Sequence, residues 1–240
     1  MDKIKLFCLP YGGGSAVIFK DWKKYIHPSI ELHAIELTGR GSRYGTPFYK
    51  SMDEAVSDIC NMISKDVDSC RYAIFGHSMG SMLSYELAHK LKSLKHPAPL
   101  HIFFSGKRPP HIERRNKNIH LLPDEEFMAE IMELGGTPNE LLTDKELWEI
   151  YIPILKADFK IIETYRHVEK DEKLDCNITI LWGKQDHIGM ISEVYEWRSY
   201  TDQGCKIHLF DGGHFFIKEF MCDVVSIINT QLLQSTHALP

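Results

Sequence analysis

The chain has 240 residues, 43% of them hydrophobic and 25% charged, and its 28 Lys and Arg against 33 Asp and Glu leave a formal net charge of -5. That balance is ordinary for a globular protein and excludes intrinsic disorder, collagen-like repeats and coiled coil. A mildly acidic chain gives no support to a nucleic-acid partner or an anionic membrane surface, and no apolar stretch reaches the ~18 residues that span a bilayer.

Ile4 to Leu9 is a short apolar run ending in Pro10 and Gly12-Gly13-Gly14, which predicts a buried strand running into a loop. Similar runs follow: Glu31 to Leu37 leads into Thr38-Gly39-Arg40-Gly41, Tyr72 to Phe75 into Gly76, and Leu100 to Phe104 into Ser105-Gly106. Ile178 to Trp182 then leads into Gly183, and Ile207 to Phe210 into Asp211-Gly212-Gly213. Helical spacing lies between several of them, at Met52, Val56, Ile59 and Ile63 and at Met82, Tyr85, Leu87 and Leu91, and again near the end at Val224, Ile227, Ile228 and Leu232. Strands alternating with helices predict the α/β class, a mostly parallel sheet with helices on both faces.

One segment breaks the alternation. From about 107 to 173 no convincing strand appears, and two or three helical patterns take its place: Pro123 to Leu134, Thr143 to Leu155, and Ala157 to Tyr165. Trp148, Tyr151, Phe159 and Tyr165 make it too apolar for a linker. It reads as a helical lid over the carboxyl edge of the sheet, inserted in a single domain spanning 1–240. A helical layer packed elsewhere on the core is the alternative.

The six Cys, at 8, 60, 70, 176, 205 and 222, form no C-x-x-C pair, and no short Cys/His spacing suits zinc. They read as free thiols, mostly in the core, and neither metal nor other cofactor is expected. Ile4 to Leu9 is also too short for a signal segment, which together with free thiols points to the cytoplasm.

Gly76-His77-Ser78-Met79-Gly80 is a G-x-S-x-G sequence between an apolar run and a helical pattern, the strand, sharp turn and helix that expose a nucleophilic serine. The competing reading is a glycine-rich turn with no chemistry. A serine hydroxyl needs an adjacent base oriented by a carboxylate, in the chain order Ser, acid, His for this arrangement. Of the 13 His, only His214 lies late in the chain and directly after a strand, in a Gly-Gly-His loop. His77 sits in the turn itself and cannot swing round to its neighbour's hydroxyl; His208 falls inside a strand; His27, His33, His187 and the rest read as surface or packing residues. Asp186 is the acid, at the carboxyl end of the Ile178 to Trp182 strand, while the loop after the preceding strand, Ser105 to Pro109, carries no carboxylate. Asp211 is too close to His214 along the chain and reads as a polar neighbour that shapes the loop. Donors for an oxyanion are expected from the Met79 N–H and from the loop after the first strand, at Gly12 and then Tyr11. A phosphate-cradling loop fails, because G-x-G-x-x-G breaks at Val17 and no Gly-Lys-Ser/Thr follows.

These residues resemble the type II thioesterases of non-ribosomal peptide and polyketide synthases, within the α/β-hydrolases. The resemblance spans nearly the whole chain: Leu9-Pro10-Tyr11-Gly12-Gly13-Gly14, Gly39-Arg40-Gly41 with Arg43, the Gly-His-Ser-Met-Gly turn, and Pro109-Pro110. It continues through Leu121, Pro123-Asp124, Leu134 to Pro138, Pro153 with Ala157-Asp158, Gly183 with Asp186, and Gly212-Gly213-His214-Phe215. Thr38 replaces the proline usual in the family before Gly-Arg-Gly, and Gly12 stands where alanine is frequent. The resemblance implies an α/β-hydrolase fold and hydrolysis of acyl thioesters on the phosphopantetheine arm of carrier proteins, clearing stalled or misloaded chains through an acyl-Ser78 intermediate. Lys107, Arg108, Arg114, Arg115 and Lys117 concentrate positive charge near the expected entrance, where an acidic carrier would dock; a merely solvated basic face is the alternative. Two other readings stand beside this one, a serine esterase or thioesterase on diffusible substrates and a catalytically silent binding fold. A monomer is expected.

Overall fold

In the computed structural model, which describes residues 3–112, 118–135 and 145–237, all six apolar runs are strands. They are β1 (Ile4–Leu9), β2 (Ile30–Ala34), β3 (Tyr72–His77), β4 (His101–Ser105), β5 (Asn177–Gly183) and β6 (Cys205–Phe210). All pair in parallel in the order β2-β1-β3-β4-β5-β6. Such a sheet is buried on both faces, which is why its strands read as near-continuous apolar runs. Tyr72 and Ile74 of β3 enter the core on one face with α1 (Met52–Ser69) and α2 (Met79–Ser93); Ala73 and Phe75 enter the core on the other. That second face is covered by the C-terminal helix (Met221–His237) and by two short 3-10 turns, Ala16–Phe19 and Asp21–Lys24.

The Glu31 to Leu37 run stops pairing early. β2 is an edge strand with β1 as its one partner, and β1 ends just before Pro10, which has no N–H to continue the ladder. The chain leaves at Ala34, and Ile35 makes a last bond to the Cys8 carbonyl (2.9 Å) before the Gly39 to Gly41 turn.

Between β4 and β5 there is no strand among the described residues. A 3-10 turn (Ile119–Leu121), α3 (Asp124–Glu133) and α4 (Lys145–Thr164) occupy that span. The two helical patterns expected from Thr143 to Tyr165 are one helix, continuous through Pro153. Lys156, the one position between those patterns, continues the helix with its ammonium donating to the Leu122 carbonyl (2.8 Å), and Asp158, a carboxylate on the apolar face, is itself buried. This layer has an apolar cluster of its own, in which Phe127, Met128, Leu155 and Phe159 pack with Ile119, Ile131 and Ile152.

Of the cysteines, Cys8, Cys60 and Cys176 are buried, Cys70 and Cys205 half-buried and Cys222 exposed, all as free thiols. Among the described residues no helix is long and apolar enough to cross a membrane.

Candidate active site

The order of strands reverses between β1 and β3: the chain steps outward from β1 to β2, then returns past β1 to β3 and continues the other way. In open α/β sheets the crevice at that switch, beyond the carboxyl ends of the strands, is where ligands bind. The loop Tyr11 to Gly14 leaves β1 and Ser78 leaves β3 at that point, with Leu9 and Gly76 in register.

Ser78 has φ 55° and ψ -110°, a strained conformation for a residue with a side chain. The surrounding glycines explain how it is held there. A Cβ on Gly76 would lie 2.2 Å from the Gly80 carbonyl oxygen, and one on Gly80 would lie 2.2 Å from that of Leu9, so the turn closes only with hydrogen at both positions. The Ser78 N–H donates to the Ser105 carbonyl (2.8 Å), and Ser81 Oγ lies 2.7 Å from the Gly76 carbonyl and accepts the Ser105 N–H (3.0 Å). The turn is thereby stapled to the end of β4. Ser78 stands half-buried at the N-cap of α2, whose helix dipole favours negative charge nearby.

Asp186 and His214 meet as the sequence predicts. Asp186 Oδ2 lies 2.7 Å from His214 Nδ1, both side chains being buried, and Asp186 Oδ1 accepts the Ile188 N–H at 2.9 Å. A carboxylate at Nδ1 fixes the proton there and leaves Nε2 as the acceptor. Their two loops are joined by backbone bonds from Lys184 N–H to the Phe210 carbonyl (2.8 Å) and from Gln185 N–H to that of Gly212 (3.0 Å). Gly183 permits this closeness, since a Cβ there would be 2.3 Å from the Gly213 carbonyl oxygen. Asp211 is turned outward onto Lys184 (2.6 Å).

The loop after β4, which lacks a carboxylate, serves the site differently. Gly106 (φ 60°) lies against both imidazoles: a Cβ there would be 2.6 Å from His77 Cε1 and 3.3 Å from His214 Cε1. His77, the last residue of β3, is fully buried, with Nδ1 2.8 Å from Ser105 Oγ and its ring centroid 5.1 Å from that of His214. Burial, reinforced by the neighbouring His214, holds the His77 pKa well below the usual range, so it packs beside His214 as a neutral ring. Tyr11 sits edge-on between His77 and Phe215, at 5.8 and 4.9 Å, under the Lys218 ammonium.

The loop amides divide into two pairs. Gly14 N–H donates to the Tyr11 carbonyl (2.9 Å) and Gly13 N–H to Asp158 Oδ2 (2.7 Å). Among the described residues those of Tyr11 and Gly12 have no such partner. Asp158 is also paired with Arg40 through two 2.6 Å bonds. Sequence reading missed roles for Arg40 and Asp158, although a carboxylate at helical spacing with Leu155, Phe159 and Ile162 is the signal that could have shown one. It missed the packing of His77 and Gly106 against His214 as well, for which no sequence signal exists.

Two cavities of about 550 Å³ each flank this edge. One is of mixed polarity and runs past Asp186, His214 and Phe215 toward Glu130, Glu133 and Glu219. The other is largely apolar and lies between the Tyr11 to Ser15 loop and α4, with Val17, Tyr44, Ile150, Leu155 and Phe159 in its walls. Of the predicted basic cluster, Arg108 is turned inward, Nη1 lying 3.4 Å from Glu193, and Arg114, Arg115 and Lys117 lie outside the described residues. Lys107 and Arg108 instead line a third cavity, of about 270 Å³, with His111, Arg166 and His167. Among the described residues no three His, Cys, Asp or Glu side chains gather as metal ligands would.

The thioesterase domain family matches residues 4–232. The gramicidin S biosynthesis protein GrsT of Aneurinibacillus migulanus is 34% identical over 230 residues, covering 96% of this chain and 89% of that protein. The crystal structure of ClbQ, from the colibactin NRPS/PKS pathway, superposes with a TM-score of 0.95 at 35% identity and covers 99% of this chain and 100% of that one. The type II thioesterase BorB, from the borrelidin biosynthetic cluster, gives 0.87 at 31% identity, covering 96% of this chain and 93% of its own.

Proposed function

The chain belongs to the thioesterase domain family, and from that premise we propose that it hydrolyses acyl thioesters on the phosphopantetheine arm of carrier proteins in non-ribosomal peptide or polyketide synthesis. The observation that carries the reading is Ser78, held at positive φ on the same sheet edge as a buried Asp186–His214 pair 2.7 Å long. Relatives that share more than 30% of their residues are named for such pathways.

The chemistry runs in two halves. Ser78 Oγ attacks the thioester carbonyl while His214 Nε2 takes its proton, and Asp186 stabilises the imidazolium. The oxyanion is received by the N–H groups of Met79 and Gly12, with Tyr11 beside them. The C–S bond then breaks, and the thiolate recovers the proton from His214; a thiol with pKa near 8.5 leaves with little help. In the second half, water gives a proton to His214 and its oxygen attacks the acyl-Ser78 ester, releasing the acid and restoring the serine. The helices between β4 and β5 act as a lid on this edge, and the apolar cavity beneath α4 takes the acyl chain.

The test compares an acyl-carrier protein with the matched acyl-cysteamine thioester, for the native enzyme and for Ser78→Ala. Ser78→Ala should lose essentially all hydrolysis of both, a fall of at least about 10⁴-fold. The native enzyme should show the higher kcat/KM on the carrier; equal values would instead support diffusible substrates. Retained hydrolysis by Ser78→Ala would overturn the assignment.

A further inference from the structure

Arg40 and Asp158 are nearly inaccessible, at 4% and 2% side-chain exposure, and they face each other across the seam between the sheet body and α4. Asp158 Oδ1 accepts from Arg40 Nη2, and Oδ2 accepts from both Arg40 Nη1 and the Gly13 N–H, at 2.6, 2.6 and 2.7 Å. Arg40 Nη1 also donates to the Gly14 carbonyl (3.1 Å) and Nε to the Thr38 carbonyl (3.2 Å). One ion pair therefore grips the glycine loop by a donor at residue 13 and an acceptor at residue 14.

A buried ion pair is weak evidence of stabilisation, because desolvation consumes much of its Coulomb energy and apolar residues of similar volume often serve as well. What apolar residues cannot supply is a fixed acceptor for a backbone N–H. We propose that Asp158 and Arg40 are positioning residues that set the geometry of the oxyanion-binding loop from the lid helix. This rests on the assignment of Gly12 as an oxyanion donor. Gly13 is held at φ 79° with α4 directly above it: a Cβ on Gly13 would be 2.3 Å from Leu155 Cδ2, and one on Gly12 would be 3.3 Å from Ile162 Cδ1. Leu155, Asp158 and Ile162 are spaced on one helical face, so a single face of α4 is the ceiling of the loop. Asp158 occupies the Gly13 amide, the turn occupies that of Gly14, and the Gly12 amide is left to meet the substrate oxygen in a fixed orientation. Without the carboxylate, the Gly12–Gly13 peptide is free to rotate and to carry the donor away from its aim.

The experiment is the double substitution Arg40→Met with Asp158→Leu, which removes both charges and keeps the volume. It is read by thermal melting, by kcat and KM on a short acyl-cysteamine thioester, and by the Ki of an alkyl boronic acid, whose tetrahedral adduct with Ser78 places an oxygen in the oxyanion site. The expected result is a melting temperature near that of the native enzyme, KM within about twofold, kcat lower by about 10- to 100-fold, and boronate affinity weaker by a matching factor. A folded variant that keeps kcat within twofold overturns the proposal, as does a fall in kcat with unchanged boronate affinity. If the double variant does not fold, Asp158→Ser, too short to reach the Gly13 N–H and leaving room for water beside Arg40, should give a parallel loss in kcat and boronate affinity; unchanged values in a folded Asp158→Ser overturn the proposal equally. A native enzyme inactive on every thioester would refute the proposed function instead, so the two failures are distinguishable.

Discussion

Gly76 and Gly80 are fixed by backbone: a Cβ on either would sit 2.2 Å from a main-chain carbonyl oxygen, and nothing there can move aside. Across the same cleft, α4 is placed by side chains. Asp158 reaches Arg40, Glu163 accepts the N–H groups of Ile119 and His120 at 2.9 and 3.1 Å, and Tyr165 donates to Glu86 at 2.6 Å. The body also has two large apolar cores, one on each sheet face, whereas the helical layer has one small cluster. The difference teaches where the tolerances lie. The tightest geometry is built on strand ends and tight turns, and the helical layer above it is held by polar ties that can be altered one at a time.

The largest effect should come from altering chemistry in the body while leaving its backbone alone. Asp186→Asn keeps the shape of the acid but removes the charge that fixes the His214 tautomer, and kcat should fall about 10⁴-fold with little change in melting temperature. A loss under tenfold would mean that backbone placement of Ser78 outweighs the triad.

The seam between the two regions is probed next, by adjacent glycines. Gly13→Ala forces a side chain into positive φ and against Leu155, and should cost about 2 to 4 kcal/mol, a fall in melting temperature of roughly 5–15 °C. Gly12→Ala meets only the end of Ile162 at 3.3 Å and should cost under about 1 kcal/mol. Equal losses would show that α4 presses on the loop less tightly than the contacts imply.

The smallest effect is a pH dependence of the body. Burial lowers the His101 pKa to about 3 and that of His89 to about 4, both from 6.5. The unfolded chain therefore binds more protons than the folded one below pH 6.5, and stability present above that pH is lost as pH falls toward 4. His101 stacks on Phe103 at 4.4 Å and bonds Thr179 at 2.8 Å, so His101→Gln keeps a donor and removes the titration. Melting temperature between pH 6.5 and 4 should decline less steeply in that variant; an unchanged slope would place the acid sensitivity elsewhere.

Much of this was legible in order along the chain. Six apolar runs leading into glycine or proline loops predict six strands of a mostly parallel sheet, and chain order with strand-end placement points to Ser78, Asp186 and His214. The strands are legible because strand burial and turn chemistry are local: an apolar run with a glycine after it is a strand and its loop whatever lies beside it. Whether the patterns from Thr143 to Tyr165 make one helix or two is not local in this way, and nothing in their spacing shows that Asp158 is buried against Arg40, 118 positions away in the chain.

The sequence by itself determined the fold class, the strand, sharp turn and helix around Ser78, and the strand-end positions of Asp186 and His214. Only the tertiary structure decided that Gly106 and His77 wall in His214, that Arg108 faces Glu193, and that Asp158 of α4 holds the Gly13 amide. Each of these is a contact between segments distant in the chain, whose energy depends on burial and approach distance, and neither quantity is written in the spacing of residues along a strand or helix.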